Sequence, residues 1–578
     1  MTKRMAPGRA GLKSALVFVA LCVASVWARA AEPTVLAHVC ARDLKALGSK
    51  LQVLGEKLAP GEGGAAFGVL SRQLEQATWR GVDWARPVSL MLLGGEPFGK
   101  PHPLAVFVVA LADADQFGAA REAAGQDGVQ VDIRGKFAVL GSEQAALAAI
   151  TPARLEHYSK FPAYGADGDV YATLYVASAV QEYQAEIDET FRNMEGRMGA
   201  AGQGGPPPGP RAFIAKMLRA AGGMANVAGK QVHRISMVVT LAGDAVELRS
   251  RIYPVPGSEF EAGLKGQPAE MTDLAKYLPS KAVAGFGANL DFLKTKPLFD
   301  VVLNGIAQPL ELTDEDRVEL SRLMFASTQT GEFAMAFPGG VAGQGMQTAT
   351  IARIGDGAKY RAVSKEGMAW FARSGYGEML RGMGLVMTLD HKANARQHAG
   401  VEVDRITISY QVAPDAPPQA MMMGQLPDQA TEVAALDTLA LATSNDETGA
   451  MLDALIDRAK GDGQPGLDTS PAYKAALQAL PKGASMYSFV LLNSALAKFV
   501  EQIAKQQPAV ALMLGGVFKE DLAEQPITGW SAIAEGRIDL HTRIPHEPVV
   551  VLVSRFRAFI EQQRPGARPP GKGNEPDF

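Results

Sequence analysis

The most regular stretch of this 578-residue chain is Val246-Glu247-Leu248-Arg249-Ser250-Arg251-Ile252. Its apolar residues stand at 246, 248 and 252, and its charged residues stand at 247, 249 and 251. Side chains of a strand alternate between two faces, so this pattern predicts a strand with one packed face and one wet face. The short segment Ala242-Gly243-Asp244 before it indicates a hairpin turn and therefore an antiparallel neighbour.

The same pattern returns near the C-terminus in Ile538-Asp539-Leu540-His541-Thr542-Arg543-Ile544. Three further pairs of similar segments occur in the same order in the two halves of the chain. The matched segments are 35–40 with 282–288, 70–72 with 320–322, and 171–179 with 487–495. Similarity in a fixed order predicts a two-fold internal repeat. Chance similarity among elements rich in alanine, leucine and valine is the alternative.

Both halves also contain a strand that ends in two glycines before a second strand begins, at Gly94-Gly95 and at Gly339-Gly340. Helices are predicted after several strands, and residues 180–194 carry a one-sided apolar stripe. We therefore predict an α+β fold with a two-fold internal repeat. It consists of twisted, mostly antiparallel sheets with helices packed on one face.

Composition and loop signals divide the chain into five segments. We expect a signal peptide at 1–30, a first α+β repeat at 31–253, a connector at 254–281, a second α+β repeat at 282–564 and a disordered tail at 565–578. Stretches rich in proline and glycine at 199–210 and 413–429 are expected to be long loops, because such composition does not hold regular structure.

The first 30 residues have the pattern of an export signal. Basic residues between 3 and 13 precede an uncharged apolar run at 14–26, which is shorter than the roughly 20 residues of a spanning helix. Ala28-Arg29-Ala30 then supplies the small-x-small motif of a signal-peptidase site. We expect an exported chain, in the periplasm or outside the cell, whose mature part does not span a membrane. A retained N-terminal anchor and a lipoprotein attached at Cys22 are the alternatives.

Overall composition excludes several classes of protein. The chain has 57 Lys and Arg against 61 Asp and Glu, a net charge of −4, so nothing points to nucleic acid. Hydrophobic residues make up 47%, which is ample for packed cores. The chain contains 2 cysteines, too few for a disulfide scaffold or a metal cluster of several cysteines.

Two motifs that resemble catalytic or phosphate-binding sites fail on closer inspection. Residues 94–100 nearly match a phosphate-binding loop, but Pro101 stands where a magnesium-ligating Ser or Thr is required, and a strand follows. Leu36, His38 and Cys40 share one face of a predicted strand, so His38 and Cys40 could form a nucleophilic thiol–imidazole pair. A buried strand thiol explains Cys40 with fewer requirements.

Histidines and acidic residues give no metal site either. His541 and His546, and likewise His391 and His398, lack a third ligand at a suitable spacing. Thr313 followed by three acidic residues is typical of a helix N-terminus. We therefore predict no catalytic, cofactor-binding or metal-ligating residue.

One apolar cluster lies in a loop that we expect to be exposed. Met421, Met422 and Met423 are a candidate partner contact, because methionine adapts to varied surfaces. Our leading hypothesis is an exported, non-catalytic envelope protein. It would bind a protein partner or an apolar small molecule through sheet faces or the groove between the repeats. The alternatives are a hydrolase with its active site at the interface of the repeats and a purely structural envelope component.

A resemblance adds to this interpretation. The strand–helix blocks, the glycine hairpins and Arg543-Ile544-Pro545 resemble large secreted bacterial proteins of domain-of-unknown-function families. The resemblance covers most of the chain after the signal peptide and rests on structural motifs. It implies an exported bacterial protein and carries over no active site.

Overall fold

The computed structural model describes residues 34–58, 60, 74–124, 128–200, 208–308, 310–326, 331–338, 341–342, 345–373, 381, 384–413, 428–506, 517–518, 520–521 and 523–563. Its strands are β1 Val35–Ala41, β2 Val88–Leu93, β3 Leu104–Ala110, β4 Gln130–Arg134, β5 Phe137–Gly141, β6 Val170–Leu174, β7 Val232–Leu241, β8 Ala245–Pro254, β9 Ala284–Asn289, β10 Glu332–Phe337, β11 Val341–Ala342, β12 Gly345–Met346, β13 Thr348–Arg353, β14 Leu385–His398, β15 Val401–Val412, β16 Gln429–Leu436, β17 Leu439–Ser444, β18 Ala484–Val490, β19 Ile527–Ala534 and β20 Arg537–Pro545. Its α-helices are α1 Leu44–Leu58, α2 Ala114–Ala124, α3 Gln144–Ala148, α4 Pro152–Tyr158, α5 Val176–Ala200, α6 Pro208–Gln231, α7 Glu259–Leu264, α8 Phe292–Ala307, α9 Asp314–Ala326, α10 Gly357–Arg373, α11 Ala450–Lys460, α12 Pro471–Gln478, α13 Leu492–Gln506 and α14 His546–Gln563.

Within these described ranges, 18 strands form a single sheet. From edge to edge its order is β4-β5-β3-β2-β1-β6-β7-β8-β20-β19-β18-β9-β10-β13-β17-β16-β15-β14, and every pairing is antiparallel. The predicted α+β class, with a large antiparallel sheet, is confirmed.

Two series of strands make up this sheet and meet where β8 pairs with β20. From its outer edge inward, the first series runs β4-β5-β3-β2-β1-β6-β7-β8. The second series runs β16-β17-β13-β10-β9-β18-β19-β20, and the hairpin of β14 and β15 extends its outer edge. Strands of the two series therefore take their places in the same chain order.

The boundary between the two series, which we call the seam, has a regular register. Arg249 of β8 lies opposite His541 of β20. On the same face, Arg251 lies opposite Asp539 and Glu247 lies opposite Arg543. The charged residues at 247, 249 and 251, which the sequence pattern predicts on the solvent-facing side, lie near the middle of the sheet. They make that face of the sheet polar at the seam.

Helices pack against both faces of the sheet, and β3 shows this clearly. Val106 and Val108 belong to an apolar cluster with Leu147 of α3, whereas Val109 packs on the other face with Phe117 of α2. β3 is apolar at every position, as strands buried on both faces are. The prediction of helices on one face is therefore wrong here, because it extended the alternation of residues 246–252 to strands that lack it.

No helix in the described ranges combines the length and the apolar character needed to cross a bilayer.

Candidate functional site

The first strand brings together the thiol and imidazole considered from the sequence. His38 and Cys40 lie on one face of β1, and the Nε2 atom of His38 is 3.0 Å from the Oγ atom of Ser89. Ser89 donates to the carbonyl oxygen of Tyr158 at 2.5 Å. His38 is 3% exposed, and Cys40 and Ser89 are 0% exposed. The group is therefore sealed inside the protein.

Burial also moves both pKa values away from catalytic use. It lowers the pKa of His38 to about 4, with a further decrease from His157. It raises the pKa of Cys40 to about 11, although a hydrogen bond with Ser89 opposes the shift. A nucleophilic cysteine needs a thiolate and an imidazole that can take up a proton. Here burial favours the neutral thiol and the neutral imidazole, so the pair is not suited to nucleophilic catalysis. The prediction of a buried strand thiol is confirmed.

The seam carries a group of titratable side chains near the middle of the sheet. Arg251 lies 2.9 Å from Asp539, and its guanidinium is 3.9 Å from the centre of the Tyr164 ring. Arg249 bonds to Asp167 at 2.6 Å. Each guanidinium therefore has a carboxylate partner; the Arg251–Asp539 pair joins β8 to β20, and the Arg249–Asp167 pair ties β8 to the segment before β6.

His541 occupies the centre of the seam and stacks on Trp530, with ring centres 5.3 Å apart. Burial lowers its pKa, and Arg249 adds to this effect, whereas Glu247 at 3.7 Å opposes it. A neutral imidazole next to a guanidinium avoids repulsion between two positive charges. Hydrolysis also needs a nucleophile within hydrogen-bond reach of its base, and the described contacts of His541 include none.

Two of the histidines weighed as metal ligands, His391 and His398, lie beside carboxylates instead. His398 lies 2.7 Å from Asp457, and His391 lies 3.7 Å from Asp404. Arg396 lies nearby, 2.6 Å from the buried carboxylate of Glu432. Among the described residues, no group of three or more His, Cys, Asp or Glu is arranged to hold a metal ion.

An open apolar depression, which we call the α10 groove, lies between α9, α10 and the strands β15, β16 and β17. Its volume is about 410 Å³, within the range of small-molecule sites. Val363 and Trp370 form buried walls, while Met324 is 51% exposed at the rim. The described residues that line it are Leu320, Leu323, Met324, Tyr360, Val363, Ser364, Gly367, Met368, Trp370, Ile406, Thr431, Val433 and Ala442.

A second depression, which we call the seam pocket, lies between α1, the turn joining β7 and β8, and the start of α14. Its volume is about 270 Å³. Elements from both series of strands therefore form its walls. The described lining residues are Ser49, Lys50, Val53, Leu54, Lys57, Leu241, Ala242, Gly243 and His546.

The remaining motifs from the sequence have the following outcomes. Gly94-Gly95 forms a turn in which the amide of Gly95 donates to the Tyr183 hydroxyl at 3.3 Å and β3 follows, as expected of a hairpin. Thr313 accepts a hydrogen bond from the amide of Asp316 at 3.0 Å, which confirms the predicted helix N-cap. Residues 421–423, the three methionines, and Gly339-Gly340 lie outside the described residues.

Sequence reasoning missed both depressions. The seam pocket joins Lys57 to His546, which are far apart in sequence, so no local pattern connects them. The α10 groove left a weak signal: Tyr360, Val363, Gly367 and Trp370 recur at helical spacing, which marks one face of α10. That signal predicts a packed face and does not reveal that the packing is incomplete.

Comparison of the chain with protein-family models, curated proteins and solved structures finds no match.

Proposed function

We propose that this chain is an exported, non-catalytic binding protein of the bacterial envelope that holds an apolar small molecule in the α10 groove. The observation that carries the proposal is the composition of this groove. Aliphatic, methionine and aromatic side chains line it, and Tyr360, Ser364 and Thr431 supply polar groups that can orient a ligand. Export rests on the basic and apolar N-terminal pattern and on the small-x-small motif at 28–30.

Gly367 is the feature of the groove that can be tested most directly. It lies on α10 among the lining residues, and a Cβ built there meets no described atom within 4 Å. Glycine inside a helix costs about 0.5–1 kcal/mol relative to alanine. The glycine borders open space in the groove, so it leaves room there for a ligand.

A titration with N-phenyl-1-naphthylamine, a neutral fluorescent apolar probe, tests the proposal. We expect wild type and Gly367→Ala to bind the probe with equal affinity. Gly367→Phe, whose ring occupies the groove, should bind it at least tenfold more weakly. Equal binding by all three proteins would contradict the assignment, and matching thermal melts would show that the variants are folded.

The geometry also supports a two-fold repeat, which we include in the proposal. The sequence match pairs Tyr171 with Tyr487. Stepping across paired strands leads from Tyr171 through Val238 to Arg249, and from Tyr487 through Trp530 to His541. The corresponding residues reached in this way, Arg249 and His541, lie opposite each other at the seam. A two-fold axis through two antiparallel strands requires this arrangement.

Contacts around the seam follow the same symmetry. Under this correspondence, Glu247 matches Asp539 and Arg251 matches Arg543. The pair Arg251–Asp539, at 2.9 Å, and the pair Arg543–Glu247, at 4.0 Å, are then two copies of one ion pair. A duplicated module that joins its copies edge to edge, as a homodimer would, accounts for both pairs.

A further inference from the structure

Beyond the α10 groove, the structure points to a second site: we infer that the seam pocket binds a small organic anion, with a carboxylate head at Lys57 and an apolar body against α1. The inference rests on the shape of the pocket, on one unpaired cation and on the apolar floor. It does not depend on the ligand proposed for the α10 groove.

The floor and one wall of the seam pocket are apolar. Val53 and Leu54 of α1 line the pocket together with Leu241, the last residue of β7, and Ala242 of the turn that follows. Val53 is 57% exposed, so a large side chain on the rim is left uncovered. Gly243 leaves room beside it, because a Cβ built at this residue meets no described atom within 4 Å. A short hydrocarbon body would cover these surfaces.

Three cations surround the pocket, and two of them are neutralised. Lys50 lies 2.7 Å from Asp169, and Arg543 bonds to Asp244. Lys57 donates to the carbonyl oxygen of Gly243 at 2.6 Å and forms no ion pair with a described carboxylate. An ammonium group carries three donors, so Lys57 keeps donors for a ligand anion.

His546, the first residue of α14, completes the polar side. Neither ring nitrogen makes a well-aligned hydrogen bond to a described residue. Burial lowers the pKa of His546, and Lys57 and Arg543 lower it further, whereas Asp244 and a hydrogen bond with the backbone of Gly243 oppose the shift. A neutral imidazole can donate one hydrogen bond to a carboxylate without competing for charge. The start of the 18-residue helix α14 adds a favourable field for a negative group.

The corresponding place across the seam has different contacts and different residues. There α7, which follows β8, is the counterpart of α14, which follows β20. Likewise α8, which follows β9, is the counterpart of α1, which follows β1. The amide of Asp291 donates to Gln267 at 2.7 Å, and the ammonium of Lys294 donates to the carbonyl oxygen of Gly266 at 2.5 Å. Cys40 pairs with Tyr171 and Gly287 pairs with Tyr487, so Cys40 and Gly287 serve as matching reference positions. Counting forward from them, Pro297 and Asn304 of α8 stand where α1 has Lys50 and Lys57. The two lysines of the seam pocket therefore have no counterpart at the matching positions of α8.

Calorimetric titration of the full chain with octanoate, at low salt and neutral pH, tests this site. We expect octanoate to bind at least tenfold more tightly than octanol, because the alcohol lacks the charge that Lys57 recognises. Lys57→Gln should weaken octanoate binding at least tenfold, and Lys57→Arg should restore most of it. Gly243→Leu, which fills the pocket without removing a charge, should weaken octanoate and octanol together.

Gly367→Phe separates this inference from the function proposed for the α10 groove. That substitution should leave octanoate affinity unchanged while it weakens binding of the neutral probe at least tenfold. The inference is overturned if octanoate does not bind. It is also overturned if octanoate binds no better than octanol, or keeps its affinity in folded Lys57→Gln. Loss of octanoate binding in Gly367→Phe would place the anion in the α10 groove and would equally overturn it.

Discussion

Arg249 and His541 lie opposite each other where β8 pairs with β20 near the middle of the antiparallel sheet. The matched segments 246–252 and 538–544 have these two residues at their centres. The join between the two series is made by β8 and β20, the last strand of each, which pair in antiparallel register. On their polar face, ion pairs set the register. This arrangement leads to a prediction about the energetic coupling of those pairs.

Double-mutant cycles at the seam should give favourable coupling in both ion pairs. Arg251 and Asp539 are 28% and 20% exposed, so we expect about 1 kcal/mol of coupling between them. Arg543 and Glu247, at 4.0 Å, should couple less strongly but with the same sign. Urea unfolding of single and double alanine variants measures both values. Coupling of opposite sign in the two pairs would count against their being copies of one contact.

The buried thiol should be chemically silent in the native protein. Cys40 is 0% exposed and burial raises its pKa to about 11, so almost none of it is thiolate at pH 8. We expect a disulfide reagent such as dithionitrobenzoate to react with Cys40 only after denaturation in guanidinium. Denatured protein provides the control for complete reaction. Rapid labelling of the native chain would reopen the catalytic interpretation of His38 and Cys40.

A carboxyl group on α5 should make the stability of the protein depend on pH. Glu182 is 3% exposed, and a Cβ at Gly94 would clash with its Oε1 atom. Burial raises its pKa from 4.5 to about 7; a hydrogen bond with Thr34 opposes the shift, and Glu96 adds to it. The native state therefore keeps a proton that the unfolded chain releases above its own pKa. Stability from this group declines as pH rises from 4.5 to about 7 and is level above that.

Glu182→Gln should remove this dependence. The amide cannot ionise, so we expect the variant to be more stable than wild type above pH 7, by about 1–3 kcal/mol, and similar near pH 4.5. Thermal melts at several pH values measure the difference. Glu122→Gln, at an exposed position of α2, is the matched control and should follow wild type. A constant difference between Glu182→Gln and wild type at all pH values would show that ionisation is not its cause.

The long hairpin of β14 and β15 should depend on one buried ion pair. Glu432 is 4% exposed, and Arg396 contacts it at 2.6 Å while also bonding to the carbonyl oxygen of Gly449 at 3.0 Å. Arg396→Met leaves the carboxylate buried with only Arg405, at 3.7 Å, nearby. We expect a loss of about 3 kcal/mol in urea unfolding.

A second substitution at this pair supplies the control. Replacing both residues, with Arg396→Met and Glu432→Leu together, removes the buried charge as well as its partner. Most of the lost stability should return, because a well-packed apolar pair is often as stable as a buried ion pair. A double variant no more stable than Arg396→Met alone would show that the loss comes from the other contacts of Arg396, with Asp453 and Gly449, and not from an unpaired Glu432 carboxylate.

Local patterns predicted the strands and their antiparallel pairing because alternation and short turns are properties of neighbouring residues. Residues 246–252 and their hairpin partner illustrate this. The same logic failed for β3, whose Val106, Val108 and Val109 are buried on two sides, because a continuous apolar run does not specify its faces. Alternation thus identified the seam strands but not how the helices are distributed.

Sites were harder to predict than strands for a physical reason. Lys57 and His546 line one pocket because β8, from the middle of the chain, pairs with β20 near its C-terminal part, and that contact leaves no sequence signal near either residue. His38 and Cys40 were placed together correctly from strand alternation alone. Their burial depends on segments that come later in the sequence, such as α4 with Tyr158. Their lack of reactivity could therefore be seen only in the tertiary structure.

Native mass spectrometry is the most direct test of whether the α10 groove holds an apolar small molecule. Wild type and Gly367→Phe would each be gently purified from the envelope fraction of the protein's own host. We predict that wild type carries the extra mass of a small organic molecule, released on collisional activation, and that Gly367→Phe shows the mass of the polypeptide alone. A bare polypeptide mass for wild type, or the same adduct on both proteins, would contradict the account.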